Sequence, residues 1–230
     1  EMTGPLTGAV ALSMAAAPLL IAAQQRFVSQ VHPLSSSAAR SADPVHGDTP
    51  VIIAGFGGFG NVVGRFLRAN QVSTTVLDLD PHRVEVLRKL GMKVFFGDAS
   101  RLDLLEAAGA ARASLLVIAV DDPEKSDEIV RLAQRHFPRL KILCRARSRS
   151  QAYRLIRHGV HFVCRDTMGG SLEVGVEALK ALGYRGYQAE RAARRFEKHD
   201  VGNMHRLAGI ADERELYFSE ARKAIRELET

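Results

Sequence analysis

The chain has 230 residues, 46% of them hydrophobic and 25% charged, with a formal net charge of +6. That balance excludes a disordered chain and leaves enough apolar residues for the core of one ordinary domain with appendages. The excess of positive charge points to an anionic partner, and two cysteines, Cys144 and Cys164, without metal-ligand spacing argue against a disulfide framework.

From Met2 to Gln25 no residue carries a charge. Crossing a bilayer takes roughly 20 mostly apolar residues, and the many small residues here suit packing against other membrane helices. A signal peptide is the rival reading, but Glu1 stands where a positive n-region belongs. Residues 1–30 are therefore expected to be the end of a transmembrane domain. The absence of an initiating Met suggests a fragment of a longer protein. Arg26, His32 and Arg40 follow the run, which places the downstream part in the cytoplasm. Residues 31–49, rich in Ser, Ala and Pro and without periodicity, are expected to be a flexible linker.

Residues 50–167 alternate short apolar runs with amphipathic helical patterns. Strands are predicted at "PVIIAGF", "STTVLDLD", "KVFFGDA", "ASLLVIAV", "LKILCRA" and "VHFVCRD". Between them lie helices such as "PHRVEVLRKLG", with Asp80 as its N-cap, Pro81 in the first turn and Gly91 past the end. This alternation predicts an α/β fold: a Rossmann-like, doubly wound parallel sheet with helices on both faces.

"GFGGFGNVVGRFL" places Gly55, Gly57 and Gly60 in the pattern G-x-G-x-x-G where the first strand turns into its helix. The first glycine permits a tight turn. The second lets backbone N–H groups approach a phosphate, and the third lets helix pack on strand. The helix N-terminus then favours an anion. Asp78 ends the second strand, at the spacing of a ribose-binding acid. A carboxylate there accepts from ribose hydroxyls and repels a 2′-phosphate, so AMP or NAD(H) is preferred to NADP.

Residues 168–230 are predicted to be helical and to form a C-terminal dimerisation or regulatory region, around "SLEVGVEALKALG", "YQAERAARRFEKH" and "ERELYFSEARKAIRELE". They carry no Ser/Thr–Tyr–Lys or paired His/Asp pattern to supply a proton donor, and the eight histidines have no metal spacing. A nucleotide domain without an evident catalytic partner fits a regulatory module better than an enzyme.

"GDASRLDLLEAAGAARASLLVIAVDDPE", from Gly97 to Glu124, sharpens this. It resembles the RCK (KTN) domain, the cytoplasmic regulatory domain of potassium channels and transporters. Together with "GFGGFGNVVGRFL" and "VLDLDPHRVEVLRKLGMKVFFGDAS", it is similar to the Kef-type glutathione-gated potassium/proton antiporters. "GPLTGAVALSMAAAPLL" resembles the last membrane helix of those proteins. The resemblance implies a bound nucleotide, usually AMP, with NAD or NADH as the alternative. The candidate contacts are Gly55, Phe56, Gly57, Gly58, Phe59, Gly60, Asp78, Asp80, Asp98, Ala99 and Asp121, with Arg101 as a phosphate partner.

The resemblance also implies glutathione contacts: an arginine in the glycine loop, an arginine after the sixth strand, and an asparagine in a C-terminal helix. Here Arg165 is kept, but Gly58 and Glu197 stand at the other two positions, and Glu197 would face an anionic tripeptide with negative charge. The family further implies a homodimer built through the C-terminal helices. Potassium and protons would be the ions moved, by membrane helices that this chain does not include.

From Arg131 to Arg165 the chain has ten Lys or Arg residues and no Asp or Glu. Arg145, Arg147 and Arg149 alternate, which would place them on one face. Such a patch would seat an acidic peptide, an anionic effector or anionic lipid. The alternative is a solvated face balanced by acids such as Asp121, Asp122 and Glu124. Nucleic acid is disfavoured, because Tyr153 is the only Tyr or Trp in the stretch.

The expectation is the cytoplasmic, nucleotide-binding regulatory end of a membrane antiporter. The rivals are the same domain on a potassium channel or uptake system, an NAD-dependent oxidoreductase, and a free-standing nucleotide-binding subunit.

Overall fold

The computed structural model describes residues 49–229. The expected membrane segment, and the linker apart from its last residue, lie outside the described residues. No helix among the described residues is long and apolar enough to cross a membrane.

All six predicted strands form: β1 (Val51–Ala54), β2 (Thr74–Asp78), β3 (Lys93–Phe96), β4 (Leu115–Ile118), β5 (Lys141–Ala146) and β6 (Phe162–Arg165). They pair in the order β3-β2-β1-β4-β5-β6, every neighbour parallel. The connecting helices are α1 (Gly58–Ala69), α2 (Pro81–Lys89), α3 (Leu102–Ala107), α4 (Pro123–His136) and α5 (Arg149–Arg157). Then come α6 (Met168–Ala181), α7 (Gly186–Ala208) and α8 (Arg214–Glu229).

Successive strand residues point to opposite faces. In β1, Ile52 and Ala54 therefore join one core with Leu105 of α3, Ile129 of α4 and Leu155 of α5. Val51 and Ile53 join the other core, with Val84 and Leu87 of α2. Burial on both faces explains why these strands read as unbroken apolar runs rather than alternating ones.

Helix starts follow local chemistry. Asp80 accepts from the N–H groups of His82 and Arg83 ahead of Pro81, and Asp122 does the same for Glu124 and Lys125 ahead of Pro123. Each such cap satisfies N–H groups that the first turn of the helix leaves without an intrahelical partner.

The strand order reverses at β1, with β2 on one side and β4 on the other. In open sheets of this type the crevice outside the C-terminal ends of the strands at such a reversal is where ligands bind.

Candidate functional site

A cavity of about 250 Å³ opens at this reversal, lined by Gly55, Gly57, Asp78, Asp98, Asp121 and Lys125 among others. Gly55 holds a φ of +88°, and a Cβ there would stand 2.9 Å from the Val120 nitrogen. A Cβ on Gly60 would stand 2.0 Å from the Gly55 carbonyl oxygen. The loop is thus pressed onto the end of β4 and α1 onto the loop, the roles that the spacing predicts. Gly57 precedes α1 in extended conformation with no side-chain cap, and nothing lies within 4 Å of a Cβ on Gly58. The first N–H groups of this 12-residue helix receive no side-chain cap from the residue that precedes it.

Asp78 is buried at the end of β2. Its Oδ2 accepts from the Phe56 N–H at 2.5 Å and its Oδ1 from the Asp80 N–H at 2.8 Å. The Arg83 guanidinium donates through Nη1 to both oxygens, at 2.9 Å each. Phe56 itself is a core residue that reaches the site only through its backbone. Asp80 does not line the cavity: it caps α2, and its Oδ2 lies 3.2 Å from Arg83 Nη2. The Arg83 N–H holds its carboxyl below the ordinary carboxylate value, against a smaller opposing effect of desolvation.

Across the cavity, Asp98 accepts from the Ser100 N–H at 2.9 Å and pairs with Lys125 Nζ at 3.5 Å. Partial burial opposes its ionisation. The N–H and hydroxyl of Ser100, with the Lys125 charge, overcome that and hold the carboxyl below its ordinary value. Ala99 lines the same wall.

Arg101 is a correction. It does not line the cavity but is clamped by Asp103, Nε to Oδ1 at 3.1 Å and Nη2 to Oδ2 at 2.7 Å, on an exposed surface. A carboxylate two residues away closes a shorter loop than a phosphate across the crevice.

The basic patch is the second correction. Arg145 is not a free cation: its Nη1 reaches Asp121 at 2.7 Å, its Nη2 reaches Asp166 at 2.6 Å, and it stacks on the Phe59 ring at 5.5 Å. Arg147 lies 4.0 Å from Asp121, and Arg149 pairs with Asp200. Arg154 pairs with Asp127, Arg157 with Asp212, and Arg165 with the same Asp200. A guanidinium removed from water needs a carboxylate, and this acid-free stretch draws its acids from distant segments. The balanced-face alternative, with Asp121 as one of its acids, describes these side chains.

Residues 51–166 match the TrkA-N domain family. The chain belongs to that family. Residues 170–230 match the potassium efflux system KefB C-terminal domain. The chain is 42% identical over 214 residues to the glutathione-regulated potassium-efflux system protein KefC of Escherichia coli, covering 93% of this chain and 34% of that protein. It thus spans about a third of the length of the curated relatives it matches. Among solved structures, the Kef CTD of Shewanella denitrificans in AMP-bound form is 48% identical, with a TM-score of 0.65 over 70% of this chain and 98% of that one. The TrkA-N domain of the inner membrane protein ybaL from Escherichia coli shares the fold at 23% identity, with a TM-score of 0.53 over 60% of this chain and 99% of that one.

The TrkA-N match ends at the close of β6, and the KefB_C match takes in nearly all of α6 and the two helices after it. α6 has no buried residue, and Val174 and Leu182 are 71% and 77% exposed. A cleft of about 920 Å³ lies between α6 and α7, lined by Leu172, Val176, Leu179, Tyr187, Arg195 and Phe196 among others. Glu197 sits exposed on α7. The acid that meets Arg165 is instead Asp200, about one turn further on, buried between Arg165 and Arg149.

Sequence reasoning missed Arg83, Lys125 and Asp200. The first two carry a weak signal, each lying in the first turn of a helix that starts at the cavity. Asp200 carries none, since its partners lie 35 and 51 residues away.

Proposed function

We propose that this chain is the cytoplasmic regulatory end of a potassium (monovalent cation)/proton antiporter of the cell membrane, and that it binds an adenine nucleotide rather than catalysing a reaction. The observation that carries this is the cavity at the strand reversal. There an uncapped helix N-terminus faces open space while Asp78 and Asp98 stand at the ends of β2 and β3. AMP is the proposed ligand, with NAD(H) second. The 48% identity to a domain whose structure is described as AMP-bound supports that order. The proposed contacts are Gly55 to Gly60, Asp78, Asp98, Ala99 and Asp121, with the phosphate at the start of α1.

The protein is proposed to work as a homodimer through α6 and α7, whose exposed apolar residues would be covered by a second copy. A ligand can gate such a pair only through a difference in affinity between its two arrangements. Glutathione is proposed to act through Arg165, but more weakly than in relatives that carry the full set of contacts. Gly58 removes one cation, and Glu197 adds a negative charge. The nucleotide reading is tested by calorimetric titration of the purified chain with AMP and with NADH. Saturable binding of AMP that is lost in Gly57→Trp supports it, and no heat with either ligand overturns it. Potassium efflux from cells carrying the whole protein, with and without Gly57→Trp, then tests the regulatory role.

A further inference from the structure

Asp78 has no lone pair to spare. An ionised carboxylate offers about four acceptor sites. Here they are taken by the Phe56 N–H, the Asp80 N–H and two contacts from Arg83 Nη1. The two backbone donors are fixed by the turns after β1 and β2. Arg83 is different: its side chain lines the cavity and is 38% exposed, against 4% for Asp78. It is the only one of these donors that can swing away without unfolding a turn.

We infer that Arg83 occupies the ribose seat and acts as a specificity-determining residue, which nucleotide hydroxyls must displace from Asp78 in order to bind. This rests on the nucleotide reading above. Arg83 is not positioned as a receiver of a ribose 2′-phosphate. Asp78 and Asp80 leave the locality with an excess of negative charge after Arg83 is counted, and both carboxylates are already engaged with its guanidinium. The ligand class is therefore a nucleotide with free ribose hydroxyls, bound against an internal competitor.

The experiment measures the affinity of the purified chain for AMP and for 2′,3′-dideoxyadenosine 5′-monophosphate, which lacks both hydroxyls. Wild type, Arg83→Leu and Arg83→Lys are compared. Taking the ratio of the two affinities cancels any effect of Arg83 on the phosphate. Releasing a half-exposed ion pair is expected to raise that ratio roughly three- to fivefold in Arg83→Leu. Arg83→Lys keeps the charge but loses the two-oxygen contact, and is expected to fall between. It also serves should the leucine variant fold poorly. An unchanged or lower ratio in both variants, with AMP still binding to wild type, overturns the proposal and leaves the nucleotide reading standing. Tighter binding of adenosine 2′,5′-bisphosphate than of AMP to wild type also overturns it, since Arg83 would then serve a phosphate. If none of the three proteins binds AMP, this proposal falls, and the nucleotide reading falls with it unless NADH binds.

Discussion

Replacing Asp200 by Ala removes one carboxylate from between two guanidinium groups. Asp200 is 5% exposed at its side chain, Arg165 14% and Arg149 44%. Breaking a buried ion pair costs about 3–5 kcal/mol, because a charge is left in a dry site without a partner. Arg149 is partly solvated and recovers much of its share in water, so its loss is closer to that of a surface pair, at most about 1 kcal/mol. Arg165 keeps some contact with water, which brings its share down to about 2–3 kcal/mol, so the expected net cost is about 2–4 kcal/mol. For a chain of this size that lowers Tm by roughly 5–15 °C. Thermal and urea melts followed by circular dichroism measure it. Asp200 also precedes Met204, Leu207 and Ala208, the α7 residues buried in the main core. Amide exchange should therefore speed up along the C-terminal half of α7. Removing Arg165 as well takes away the stranded charge, so Asp200→Ala with Arg165→Ala should cost less than the two single losses added. A loss under about 0.5 kcal/mol, or an equal loss in Glu197→Ala on the exposed side of the same helix, would refute the reasoning.

Gly60→Ala should lower Tm and abolish AMP binding together. Its Cβ would sit 2.0 Å from the Gly55 carbonyl oxygen, so α1 must move off the loop, and melts with calorimetry check both effects. Asp98 titrates below its ordinary value of 3.8 in the folded chain. The unfolded chain binds the extra proton first as pH falls, so this stabilisation is complete above about pH 5 and fades as pH drops through the folded value. The Tm gap between wild type and Asp98→Asn should therefore narrow as pH falls below about 5, and a gap that widens on acidification contradicts it. Burial, followed by the charge of Asp127, pushes the Cys144 thiol up to about 12, and burial raises Cys164 as well. At pH 8 the native chain should resist iodoacetamide at Cys144 and label only slowly at Cys164, with both labelling freely in urea. Rapid native labelling of Cys144, read by mass spectrometry, is the contrary result.

The parts of the site that rest on backbone geometry were legible because their cause is local. A glycine at position 55 is needed for a positive φ, and one at position 60 for helix contact, whatever surrounds them. The strands were legible because burial on both faces leaves a recognisable apolar run. Side-chain partnerships were not. Asp78 stands where its spacing puts it, yet nothing in that spacing says that its lone pairs are filled. That fact depends on Arg83 turning back from the first turn of α2. Arg101 had a rival in view, Asp103, within the same short segment. For Arg145 the sequence offers Asp121 among the balancing acids, whereas Asp200, the partner of Arg149 and Arg165, lies in another element far along the chain. A count of charges along a segment measures what must be neutralised, not where the neutralising group will stand.

The same distinction governs the C-terminal helices. Their amphipathic pattern announces an apolar face that water disfavours. In α7 the later part of that face is met inside the chain, where Met204 and Leu207 enter the core. In α6 it is not: Val174, and Leu182 just past the end of the helix, stay in solvent beside a cleft large enough to admit side chains from another surface. Exposed apolar surface of this kind is uncommon in a protein without a partner. The break falls at the end of β6, where the TrkA-N match ends and the KefB C-terminal match is about to begin. The nucleotide fold before that point buries apolar residues on both faces of its sheet. The helices after it leave part of theirs exposed, and among the described residues Asp200 ties the second region to both Arg149 and Arg165 of the first. Among the described residues, Asp121, Arg145 and Asp166 form one chain of ion pairs, and Arg149, Asp200 and Arg165 form a second.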